Sequence, residues 1–177
     1  MKNLMKFALI ATVFVSNLAF AGTKALGFEI GVSTLEEVTA NLKAQTRVED
    51  AGINSYSSGR MLRTSGAGFS IDGLQRVTFV FDDKNKLAAI LMMIGKHRFD
   101  PVLKSLSTKY KVSSKQIPLV GNKFASFKTS DSVIELDAPH LSSEMELRYV
   151  KIELMNKFVR QSQQEKNEKK IRENSQL

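Results

Sequence analysis

Cysteine and tryptophan are absent from this chain, and proline occurs at only three of its 177 positions. Without cysteine there is no disulfide, no thiol redox chemistry, no thiolate metal site and no acylated N-terminal cysteine, so stability must rest on buried apolar surface. Without tryptophan, and with only three tyrosines, the chain has few aromatic platforms for a sugar substrate. Histidine occurs twice. His97 lies between Lys96 and Arg98, whose charges repel both a proton and a metal ion, and His140 follows Pro139; both read as surface residues. No cofactor and no metal is expected. No Gly-x-Ser-x-Gly elbow is present, and Ser65-Gly66-Ala67-Gly68 lacks the third glycine and the following helix of a dinucleotide cradle.

What the chain does have is an N-terminal address. Lys2 and Lys6 precede the apolar run Phe7 to Val15, and Ala19-Phe20-Ala21 closes it with small residues, the pattern of a secretory signal peptide cleaved after Ala21. The run is far shorter than the about 20 apolar residues of a membrane-crossing helix, so no integral span is expected after cleavage. The mature protein, residues 22–177, is expected in the periplasm or secreted. Its charge falls from +8 to +6 when Lys2 and Lys6 leave. This excess is spread thinly, with no basic cluster interleaved with aromatics, which argues against nucleic acid and allows weak contact with an anionic envelope surface.

The pattern of the mature chain is helix, strands, helix, strands. Ser33 or Thr34 caps a first helix with Glu36 or Glu37 completing a capping box, and Leu35, Val38 and Leu42 form its apolar side. The glycine-rich stretch from Ala51 to Gly73 reads as turns with a short edge strand around Arg60 to Arg63. Arg76 to Phe81, a turn at Asp82 to Asn85, and Leu87 to Ile94 form a hairpin whose return strand is apolar on both faces. Asp100-Pro101 starts a second helix, an acidic cap followed by proline at the first helical position, with Val102, Leu103, Leu106 and Tyr110 on its apolar side. Strands then follow at Phe124 to Lys128, Val133 to Asp137 and Glu144 to Leu154, the last with one wet face. The expected fold is α+β: one domain over residues 22–155, an antiparallel sheet with two helices packed on one face. Residues 156–177 form a charged tail, helical or disordered, with a frayed or disordered state preferred because no apolar seam runs through it.

Carboxylate pairs at Glu36-Glu37, Asp82-Asp83 and Glu144-x-Glu146 have structural causes in capping, turn chemistry and an exposed strand face, so none requires catalysis. The chain is therefore expected not to be an enzyme. Candidate partner-binding residues are Phe79, Leu91 and Met93, which would line a concave sheet face, with Arg60 and Phe69 of the glycine-rich stretch; methionine adapts well to irregular partners.

Gly31-Val32-Ser33-Thr34-Leu35-Glu36-Glu37-Val38, followed by a hairpin and a second helix-plus-strands unit, resembles the small exported proteins of the β-lactamase-inhibitor-protein-like fold, which include the small lipoprotein of the outer-membrane β-barrel assembly machinery. Their recurring Gly-x-Ser/Thr-x-x-Glu/Gln-Val is matched by Gly31, Ser33 or Thr34, and Glu37-Val38. The missing cysteine departs from both the lipoprotein and the disulfide-bonded members. The resemblance implies a non-catalytic module that binds an envelope or secreted protein. A cell-wall-directed hydrolase or accessory, and an inhibitor or exclusion factor against a toxin, phage component or enzyme, stand as alternatives.

Overall fold

A computed structural model describes residues 22–176, so the signal-peptide reading of residues 1–21 lies outside the described residues. The fold is α+β, with a large antiparallel sheet and three helices, the last at the C-terminus. A small hairpin, β1 (Lys24–Ala25) and β2 (Phe28–Glu29), comes first. Helix α1 (Leu35–Lys43) follows; the Thr34 hydroxyl accepts from the Glu37 N–H at 3.1 Å and the Glu37 carboxylate accepts from the Thr34 N–H at 3.3 Å. Thr34 is thus the cap, and Ser33 instead accepts the Glu29 N–H from a buried position.

The glycine-rich stretch holds two strands rather than turns with one short strand: β3 (Val48–Ile53) and the eight-residue β4 (Ser58–Ser65). At Gly59 and Gly66 glycine serves close approach of backbone, not a turn. A Cβ at Gly59 would lie 2.1 Å from the Phe81 carbonyl oxygen, and one at Gly66 equally close to that of Leu74. Next come β5 (Leu74–Asp82) and β6 (Leu87–Gly95), joined by a turn in which the Asp82 carboxylate accepts the N–H groups of Lys84 and Lys86.

Helix α2 (Phe99–Lys109) begins before the expected Asp100 cap. Arg98 occupies the cap position without a side-chain hydrogen bond, and a 3-10 turn at Lys96–Arg98 runs into the helix. Pro101 is tolerated inside the first turn because N–H groups there have no intrahelical acceptor. Burial of Phe99, Leu103 and Leu106 anchors the helix, with Val102 and Tyr110 at the margin of the core.

The second run of strands is β7 (Val112–Gln116), β8 (Lys123–Lys128), β9 (Ser132–Ala138) and β10 (Glu144–Lys151). β7, exposed throughout, carries no alternation from which it could be read. β10 ends at Lys151, not Leu154, and the chain passes directly into α3 (Ile152–Asn174), so of the two forms expected for the charged tail the helical one is found.

The eight long strands form one sheet in the order β3-β4-β5-β6-β10-β9-β8-β7. It consists of two four-strand meanders, each following a helix in the chain, with β6 and β10 side by side at the seam. Alternation assigns two faces. Val77, Phe79, Ile90, Met92, Leu136 and Leu147 belong to one large core cluster together with Val38 and Leu42 of α1 and Phe99, Leu103 and Leu106 of α2. Their strand neighbours Val80, Ala89 and Val150 belong to a separate, smaller cluster with Met61, Leu91, Leu154 and Met155.

Candidate partner-binding face

The second sheet face can be read from its register. Arg63, Thr78, Leu91, Arg148, Glu135, Ser126 and Ser114 form one unbroken cross-strand row. On one side lies the row Met61, Val80, Ala89, Val150 and Val133; on the other lies Arg76, Met93, Glu146, Asp137 and Phe124. The face therefore grades from aliphatic to charged across two strand repeats.

The aliphatic row is partly roofed by α3. Because the chain turns into helix at Ile152, Leu154 and Met155 fold back over Val80, Ala89 and Val150. One turn further, Phe158 meets Tyr56 edge to face, ring centroids 5.0 Å apart. Tyr56 is held by Asn54, whose side-chain oxygen accepts the N–H groups of Tyr56 and Ser57. A groove of about 410 Å³ remains between these groups, with Val80, Ala89 and Val150 on its floor and Leu91 and Arg148 at its open end.

Arg148 organises the charged part. Its guanidinium lies 3.1 Å from Glu135, 3.6 Å from Asp137 and 3.5 Å from Glu146, so one cation faces three carboxylates. Its Nε is buried without a partner. Adjacent carboxylates repel, and only the shared cation and solvent offset that repulsion. On a chain of net charge +8 this is a local acidic excess in the middle of an open sheet face.

The expected binding residues separate. Leu91 and Met93 lie half-buried on this face, Leu91 at the groove. Phe79 does not: it is fully buried in the large core and packs edge to face on Phe28 at 5.6 Å, because its place in the alternation is one residue off that of Val80. Val80 itself is covered by α3. Phe69 packs against the large core beside the 3-10 turn at Gly66–Gly68. Arg60 is exposed on β4 with Asp50 4.0 Å away. Phe79, Phe69 and Arg60 are thus not part of the groove. The sequence marks Arg148 only as an outward residue of an alternating strand, and it carries no local signal for Tyr56, Met155 or Phe158 at the groove.

A second cleft, also about 410 Å³, gathers Asp82, Asp83, Lys86, Lys151 and Glu153 beside the β5–β6 turn. Lys151 hydrogen-bonds and attracts Glu153, holding its carboxyl below the usual range, and Asp82 serves the turn. His97 and His140 are both exposed, and His140 Nδ1 accepts the Gly121 N–H. Among the described residues no group of three or more His, Asp or Glu side chains is placed to hold a metal ion. No helix among them is long and apolar enough to cross a membrane. No protein-family model, curated protein or solved structure matches the chain.

Proposed function

We propose that this is an exported, non-catalytic protein-binding module, with α1 and α2 filling one sheet face and the other face presented to an envelope or secreted partner. The observation that carries this reading is the groove at Leu91 and Arg148, where aliphatic floor and acidic excess lie next to each other. Such a site suits a partner segment that offers one apolar side chain to the groove and one cation to Glu135, Asp137 and Glu146. In the polar cleft Asp82 is engaged by the turn and Lys151 by Glu153, which favours binding over hydrolysis.

The test is site-specific photocrosslinking in intact cells. A crosslinking side chain at Leu91 or Met93 should give one discrete adduct, weakened at least tenfold by Glu146→Lys or by high salt, while the same group at the exposed Lys104 of α2 gives none. Equal adducts from all three positions, or none from Leu91 and Met93, overturn the reading.

A further inference from the structure

We propose that Glu29 and Asp131 form a receptor for a free α-ammonium at Gly22, so that hydrolysis of the Ala21–Gly22 peptide bond completes this corner of the fold. The proposal rests on the export reading and adds to it a structural consequence of processing.

The Gly22 nitrogen lies 3.2 Å from Glu29 Oε1. A Cβ on residue 22 would come within 2.6 Å of that oxygen and 3.1 Å of Asp131 Oδ2, so both carboxylates border position 22. The next residue fixes the nitrogen in place. Thr23 is buried; its N–H donates to Asp131 Oδ2 at 3.0 Å and its hydroxyl to Asp131 Oδ1 at 2.6 Å, while its carbonyl accepts the Ile30 N–H at 2.9 Å. The chain is therefore held by its second residue, with its first aimed at the carboxylates.

Charge gives the site its purpose. Of the two carboxylates, from β2 and from the β8–β9 turn, Glu29 pairs through Oε2 with Lys24 at 3.1 Å, and among the described residues Asp131 has no ion-pair partner. Tyr110, close enough to feel Asp131, is neutral, and burial and then Asp131 raise its pKa further. Asp131 is held ionised: burial would raise its pKa, but hydrogen bonds from Thr23 and Thr129 outweigh that and lower it. A peptide N–H at Gly22 brings dipole only. Peptidase-catalysed addition of water leaves a carboxylate on Ala21 and an amine on Gly22, which takes up a proton and brings a full positive charge to Glu29 Oε1.

An amine that gains such a partner has a raised pKa in the folded state, so its stabilisation is complete below the ordinary value of about 7.7 to 8.0 and is lost as pH rises through the folded value. The test uses residues 22–177 in four forms: free or acetylated at Gly22, each with Glu29 or Glu29→Gln. Near pH 6 the free-amine form should melt about 2 to 4 °C above the acetylated one, with no such difference in the Glu29→Gln pair and none near pH 10. An equal difference in both pairs, or none in either, overturns the receptor. N-terminal sequencing of protein recovered from exporting cells addresses the processing step separately. Gly22 as first residue supports it, and any other start removes the role in the natural protein even if the melting differences are found.

Discussion

Among the described residues, Arg148 alone lies within ion-pair distance of three carboxylates, Glu135, Asp137 and Glu146. Arg148→Met keeps the aliphatic stem but leaves the carboxylates facing one another. These groups are 20 to 39% exposed, so solvent screens part of the repulsion, and a loss of about 1 to 2 kcal/mol is expected in urea unfolding at neutral pH. The loss should shrink at high salt, which screens the carboxylates from one another; a loss independent of salt would contradict this account. Asp131 works in the opposite sense. Its folded pKa is depressed, so its contribution is present above the unfolded value of about 3.9 and disappears as pH falls through the folded one. Asp131→Asn should therefore flatten the acid limb of the stability curve. At Gly59 the constraint is steric: an alanine methyl cannot share space with the Phe81 carbonyl, and Gly59→Ala should destabilise by about 3 kcal/mol or part β4 from β5, visible as lost amide protection in both strands.

Among the elements, α1 shows how local chemistry is enough: Thr34, Glu37, Val38 and Leu42 supply cap, box and apolar side within nine residues. Thr34→Ala should lower stability by about 1 kcal/mol, measured by thermal melting. β7 shows the reverse. Its five exposed residues hold a strand only because β8 offers a free edge, and Lys115 there discourages further pairing. Helix α3 has two parts with different roles. Leu154, Met155 and Phe158 cover sheet and Tyr56, whereas the turns after Arg160 are almost wholly exposed and held by pairs such as Gln164 with Glu168 and Lys169 with Glu173. Ending the chain after Arg160 should leave the melting temperature within about 1 °C, since surface changes of this kind stay near 0.5 kcal/mol. Leu154→Ser should instead cost about 2 to 3 kcal/mol and raise binding of a hydrophobic dye by uncovering Val80 and Val150. The reverse order of effects would show that the helix is held by its distal half.

Across the whole molecule, one core cluster runs through both meanders, from Phe81 and Ile90 to Phe127 and Ile134. The seam between β6 and β10 pairs seven residues from each strand, so the halves are expected to unfold together. Phe127→Ala, made in the second meander, should lower the single calorimetric transition by about 3 to 5 kcal/mol rather than split it. Two resolved transitions would mean that each helix-plus-meander unit folds alone. What residue order settled by itself was local: the capped start of α1, the turn at Asp82 to Asn85, the alternation of β5 and β10, and the α+β class, because capping, turn and alternation signals all lie within a few residues. Tertiary structure decided which side of β5 reached the surface, why glycines at 59 and 66 sit in strands' close contacts, where β10 yields to α3, and the meeting of Leu91, Arg148 and Phe158. Those outcomes depend on what lies across a strand or under a helix, and partners remote in the chain leave no periodic trace in either sequence alone.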